Sequence, residues 1–194
     1  LLGAAALVAG TTLAIPVEPG IAVPFSVAGI DPVVLGVALW VGVGIATGTQ
    51  AAADEGHAAV VYAVPSVVAA FALGGPTAAV WVALLGSTEL RELRGGVPWY
   101  GVLANHAMVV VPGALGGFVT IALRGDAGFT ADAPGFASVM AGALVFCSLN
   151  LAMALAVVHA RTGRGPAESL GVPWRTIAIL LFGESAIAWV FAAA

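Results

Sequence analysis

The sequence of 194 residues contains no lysine, a single cysteine and little charge of either sign. Its six cationic side chains are all arginine: Arg91, Arg94, Arg124, Arg161, Arg164 and Arg175. Without a lysine these residues offer no Schiff-base linkage, which excludes a retinal-type pigment. With Cys147 alone, neither an intrachain disulfide framework nor a thiolate metal site can form, and the residue reads as a small apolar packing group. Six scattered arginines lack the basic density that a nucleic-acid surface needs, so no nucleic-acid partner is expected. The catalytic patterns are missing too. There is no G-x-S-x-G, no H-E-x-x-H, no Walker loop and no dinucleotide glycine fingerprint in a βαβ setting. The chain is therefore expected to be non-enzymatic in itself, with no cofactor and no metal.

What is present is hydrocarbon. Charged residues make up 8% of the chain against about 25% in a soluble domain. Hydrophobic residues reach 61%, and the mean hydropathy is +1.08. So little charge cannot cover a water-facing surface of this size, so lipid is the expected solvent for most of the molecule. The net charge of −4 is divided among separate loops and carries no message of its own. The predicted fold is all-α: one integral membrane domain, residues 1–194, forming a polytopic helix bundle of about six spans. Leu1–Ile15 reads as the tail of a helix already under way, without a charged leader, and the chain reads as part of something longer.

The organising stretch is Ser87–Tyr100, where Glu89, Arg91, Glu92 and Arg94 fall between long apolar runs. Gly95-Gly96 and Pro98 end one helix, and Trp99-Tyr100 anchor the next at the interface. Before it, Pro16 and Pro19 interrupt the first apolar run. Asp31-Pro32 is an N-cap followed by proline at the first helical position. The helix that follows carries Gly36, Gly42, Gly44 and Gly48, a thin face suited to close approach of a neighbouring helix. Asp54, Glu55 and His57 lie in a polar break; as three donors within four residues they read as a solvated loop rather than a metal site. Within 58–85, Gly74-Gly75-Pro76 demands a break, giving either one kinked span or two short helices, and a candidate pocket wall. Two clear spans follow, Tyr100–Leu123 and Gly135–Ala160, separated by a loop with Arg124, Asp126 and Asp132, and a last one runs from Thr176 to Ala194.

Five of the six arginines lie in the Arg91/Arg94 and Arg161/Arg164/Arg175 loops, two spans apart and so on one side. The positive-inside bias makes that side cytoplasmic. Ionisable and amide groups inside spans then stand out. At about 1.5 Å per residue from the cytoplasmic helix ends, Asn105 and His106 lie roughly 8 Å deep, Glu184 roughly 13 Å and Asn150 roughly 15 Å. Three spans thus place polar groups in one layer. The readings are mutual hydrogen bonding between helices, recognition of a ligand or ion, or a proton relay through His106 and Glu184. His159 belongs with interfacial solvation near Arg161. Trp40, Trp81, Trp99, Trp174 and Trp189 read as anchors or core residues before they read as a cofactor cage.

Residues from about Val61 to Ala194 resemble the N-terminal multi-span region of bacterial HD-GYP phosphodiesterases and GGDEF diguanylate cyclases, the cyclic-di-GMP signalling proteins. The likeness is carried by Ala72-Leu73-Gly74-Gly75-Pro76, by Arg91 through Asn105 with its Pro98-Trp99-Tyr100, by Leu149-Asn150 through Ala156, by Gly163 to Pro166, and by Trp174. It implies a sensory or anchoring module of the bacterial inner membrane, a homodimer, and a cytoplasmic output domain beyond residue 194. Neither catalytic segment of those proteins is present, so no catalytic residue is carried over. A looser likeness, in Pro24 through Gly36 and the Gly-Gly-Pro hairpin, is to the substrate-binding subunits of vitamin transporters. It implies a small-molecule ligand held in the bundle. A third expectation is a structural subunit that docks through Gly36–Gly48. Whichever holds, an alkaline carbonate wash of membranes from expressing cells should leave the chain in the pellet; its release into the wash would remove the membrane assignment.

Overall fold

The computed structural model describes residues 2–51, 64–165, 168 and 173–193. Among them the chain is all-helical. The helices are α1 (Leu2–Ala14), α2 (Pro32–Ala51), α3 (Val64–Gly86), α4 (Leu90–Leu93), α5 (Trp99–Arg124), α6 (Ala133–Thr162) and α7 (Trp174–Ala193), with single 3-10 turns at Pro19–Ile21 and Gly125–Ala127. Asp54, Glu55 and His57 lie outside the described residues.

Helix ends follow the local chemistry. The Asp31 carboxylate accepts from the Val33 N–H at 2.7 Å, with Pro32 opening α2. Asp132 does the same for α6, accepting from the Gly135 N–H at 2.8 Å, and the Thr130 hydroxyl donates to the same oxygen at 2.8 Å. Those two donors, the backbone one foremost, hold the Asp132 carboxyl below the usual carboxylate range. At the other end of α6, Gly163 takes a left-handed conformation and returns its N–H to the His159 carbonyl at 2.8 Å.

α3 is the centre of the molecule and is not one rod. Gly75 has φ 74° and ψ −170°, outside any helical conformation. The chain reverses there. A Cβ placed on Gly113 of α5 would meet Val67 Cγ1 at 3.2 Å and Ala83 Cβ at 3.7 Å. In a continuous helix those two residues would stand about 24 Å apart. A Cβ on Gly44 of α2 would likewise sit 3.0 Å from both Ser66 Oγ and Gly86 Cα. The two arms are therefore antiparallel, and the Gly-Gly-Pro break is the apex of a helical hairpin. Of the two sequence readings, the two-helix one holds. The hairpin is almost wholly enclosed, with Val67, Val68, Phe71, Val80 and Val82 at zero exposure, by α1, α2, α5, α6 and α7.

Among the described residues four helices have the length and composition to cross a membrane, α3, α5, α6 and α7, but the 23 residues of α3 are folded at Gly75 into two shorter arms. The expected six spans exceed that number. Among the described residues, shorter apolar helical stretches lie at Ala4–Ala14 and Pro32–Thr47. α5 and α6 run antiparallel, because Thr120 donates to the Ser138 carbonyl at 3.4 Å while Asn150 Nδ2 donates to the Met108 carbonyl at 2.6 Å. α7 is antiparallel to α6 in turn: Trp189 stacks edge-on against Phe136, with centroids 5.1 Å apart, and Ser185 lies beside Cys147. The ends bearing Arg91/Arg94 and Arg161/Arg164 consequently share one end of the bundle, and Arg124 lies at the other. Trp99 and Tyr100 are exposed at the first end, as expected of anchors. The thin face of α2 is turned partly inward: Gly36 packs on Ile21 and Gly44 on Gly86, while nothing lies within 4 Å of a Cβ on Gly42.

Gly75 occupies a backbone region that is essentially glycine-only, and a Cβ there would meet Glu18 Oε1 at 3.1 Å. Gly75→Ala should lower stability by about 1–3 kcal/mol. Gly42→Ala, a helical position with open space, should be neutral or stabilising by up to about 1 kcal/mol. Unfolding of the two variants in detergent, side by side, checks the contrast.

Candidate functional site

The most concentrated polar site lies where the hairpin exits toward α4 and α5. α4 is one turn long. Its Glu92 reaches back to the Glu89 N–H at 3.3 Å, the return half of a capping box, which turns the carboxylate away from solvent. Glu92 Oε1 accepts from Asn105 Nδ2 at 3.2 Å, and Oε2 lies 3.3 Å from His106 Nε2. The Glu92 side chain is 3% exposed and that of His106 14%. On the far side of the ring, His106 Nδ1 lies 2.9 Å from Ser87 Oγ, which donates to the Ala83 carbonyl at 2.6 Å. Ser87, Glu92, Asn105 and His106 thus form one network that pins α4 and the end of α3 to α5. Outside it, Glu89 pairs with Arg91; that bond raises the Arg91 guanidinium above its ordinary value, against a smaller opposing effect of burial.

His106 also borders an apolar cavity of about 550 Å³ between α1, α3 and α5. Val8, Trp81, Leu84, Leu103 and Val110 supply much of its wall. The polar wall groups are already engaged: Trp81 Nε1 donates to Thr12 Oγ1 at 3.0 Å, Thr12 donates to the Val8 carbonyl at 2.7 Å, and both ring nitrogens of His106 have partners. Such a cavity suits an apolar guest and gives a polar one nothing to bond. A second, larger groove of about 920 Å³ runs between α6 and α7 past Leu144, Cys147, Ile177 and Phe182.

The opposite end holds a second polar centre, which sequence reasoning missed. Arg124, read as a loop residue, has a side chain only 5% exposed. It pairs with Glu18 and donates to the Ala72 carbonyl at 2.8 Å, while the Glu18 N–H donates to the Gly74 carbonyl at 3.1 Å. Thr77 adds hydroxyl bonds to the Thr11 and Ile15 carbonyls, at 3.1 and 2.7 Å. Together they close the hairpin apex.

Of the four residues expected to form one layer, the structure brings together two. Asn105 and His106 share Glu92. Asn150 is held separately by the Met108 carbonyl, and Glu184 stands apart with one carboxylate oxygen buried and unpartnered. Glu92 replaces Glu184 as the acidic member. Depth along a helix says nothing about azimuth, which is why the layer does not close. The Glu89-x-x-Glu92 spacing was the available signal for the missed residue. Among the described residues no group of three metal-ligating side chains occurs.

No protein-family model, curated protein or solved structure matches this chain.

Glu92→Ala strands two half-buried partners and should lower stability by about 3 kcal/mol. Glu184→Gln replaces a carboxylate with one unpartnered oxygen and should leave stability unchanged within about 0.5 kcal/mol. Denaturation in detergent separates the two; equal losses would return Glu184 to the network.

Proposed function

We propose that the chain is the sensory and anchoring membrane module of a bacterial signalling protein, non-catalytic in itself. It sits in the inner membrane with its Arg91 and Arg161 end in the cytoplasm and acts as a homodimer. The observation that supports this reading is the Glu92–His106–Asn105 network. It ties a short amphipathic segment at the arginine-rich end to an intramembrane helix that also walls an apolar cavity. A guest or a charge change beside His106 therefore bears directly on α4, the element nearest the aqueous phase. The arginine bias supplies the sidedness. The resemblance to cyclic-di-GMP signalling proteins supplies the expected continuation, an output domain beyond residue 194.

A second reading, a membrane transport subunit that binds a small apolar ligand, is favoured by the 550 Å³ cavity itself. A docking subunit is favoured less, since Gly36 and Gly44 already pack within the bundle.

Two measurements test the leading reading. The gene beyond the codon for Ala194 should encode one further span and then a soluble signalling domain. In that full-length protein, Asn105→Leu should change output activity severalfold while membrane insertion is retained. A stop codon shortly after Ala194 beside genes for an ATPase would overturn the sensory reading in favour of transport.

A further inference from the structure

The cavity between α1, α3 and α5 is a groove whose length, width and opening narrow the choice of guest. Its α1 wall runs from Ala4 to Leu13, about 14 Å at about 1.5 Å per residue. Half the hydrocarbon of a bilayer is about 15 Å, so the groove has the length of one leaflet. Spread along that length, 550 Å³ is a mean cross-section of about 40 Å². A helix about 10–12 Å across needs roughly two to three times as much, so the groove fits a chain and not a helix. The floor residue Val110 is fully buried, while Ala5, Ala9 and Leu13 on one lip and Leu103 on the other are exposed. The groove therefore opens sideways, onto the apolar surroundings of the bundle, and a lipid tail enters without crossing water.

The two ends of the groove differ. Toward the hairpin apex, Trp81 Nε1 donates to Thr12 Oγ1 at 3.0 Å and ties the α3 wall to the α1 wall. Thr77, one turn nearer the apex, adds its bonds to the Thr11 and Ile15 carbonyls. Those bonds hold the walls together at that end. At the other end the last wall positions are Leu84 and Leu103, and α5 begins about 6 Å beyond Leu103 at the exposed Trp99. Such a ring marks headgroup depth. Arg94 lies in the link between α4 and α5, exposed and in no ion pair among the described residues. Its acidic neighbours are committed, Glu89 to Arg91 and Glu92 to Asn105 and His106. The walls thus call for hydrocarbon, and the guanidinium at the mouth calls for an anion.

We propose that this groove holds one acyl chain of an anionic amphiphile, its methyl end toward Trp81 and its headgroup beside Arg94. This deepens the sensory reading and rests on it for its physiological meaning: the guest beside His106 is a lipid of the leaflet at the arginine-rich end. Moving a tail from bilayer to groove gains little hydrophobic energy, because lipid is as apolar as the walls. Selection therefore comes from the fit of one chain and from the charge of its head. One arginine near a headgroup favours an anionic lipid about fivefold.

The test titrates the full 194-residue chain in a mild detergent with lipids brominated along their chains, since bromine quenches tryptophan fluorescence on contact. The Trp81 signal is the difference between the wild type and Trp81→Phe. Brominated phosphatidylglycerol should quench it at about fivefold lower concentration than brominated phosphatidylcholine. Arg94→Gln, at an exposed position, should make the two lipids equal. Ala107→Phe, which fills the groove from α5, should abolish the quenching of Trp81 by either lipid. Equal quenching by both lipids in the wild type, a preference that survives Arg94→Gln, or quenching undiminished in a folded Ala107→Phe overturns the proposal. Should Trp81→Phe fail to fold, native mass spectrometry of the wild type and Arg94→Gln counts bound lipid directly, with the same preference expected and the same equality overturning it. Brominated stearate distinguishes the sources of the chain. Quenching as strong as that by phosphatidylglycerol assigns the site to a free fatty acid, and weaker quenching to a phospholipid; either supports the proposal. None of these measurements involves an output domain, so failure here leaves the sensory and anchoring reading standing.

Discussion

In a hydrocarbon environment a backbone break is tolerable only if its freed N–H and C=O groups find partners inside the protein, and the bundle is built around one such break. At Gly74-Gly75-Pro76 the first arm of α3 ends with unbonded carbonyls, and Pro76 brings no donor of its own. Arg124 from α5 takes the Ala72 carbonyl, the Glu18 N–H takes that of Gly74, and the Glu18 carboxylate neutralises the guanidinium. Three segments far apart in the chain are thereby committed to one apex. Once the apex is closed, the two arms have only apolar surface to offer, and the remaining helices cover it.

That enclosure explains the distribution of small residues. A Cβ on Gly117 would come within 2.7 Å of Pro76 Cα, and one on Gly116 within 2.7 Å of the Gly142 carbonyl. α5 can lie close to both the hairpin and α6 only because these positions are bare. Dispersion between closely approaching backbones is the main attraction available where the surrounding solvent is as apolar as the side chains. The sparse interhelical hydrogen bonds, such as Asn150 to Met108, set register more than strength.

The opposite end works differently. There the hairpin returns to the interface and the chain changes from apolar helix to short amphipathic turn. The buried carboxylate of Glu92 joins that turn to α5. A buried charge with hydrogen-bonded partners on two elements gives a single preferred arrangement, and losing any one partner makes the arrangement unfavourable. The two polar centres thus have different tasks in the same fold. The Arg124 centre is wholly structural, completing a backbone, whereas the Glu92 centre joins two elements that backbone bonding alone would leave free to separate.

Much of this was legible in the residues. Low charge and long apolar runs dictate helices, because lipid leaves no other way to satisfy a spanning backbone outside a closed barrel. Asp31-Pro32 and the Gly-Gly-Pro break announce a start and a stop by local chemistry, and the arginine clusters place two loops at one end. Those are properties of neighbours in the chain, and sequence determines them. Which way a polar side chain points is not such a property. Glu184 and Glu92 could each have met His106 on grounds of depth, and Arg124 could have been a loop cation. The packing of α3 against α5 decided that Glu92 folds inward and that Arg124 caps a hairpin, and the packing of α7 on α3 and α6 that Glu184 stands apart. Azimuth and long-range pairing arise from how whole helices fit together, which spacing along the chain does not encode.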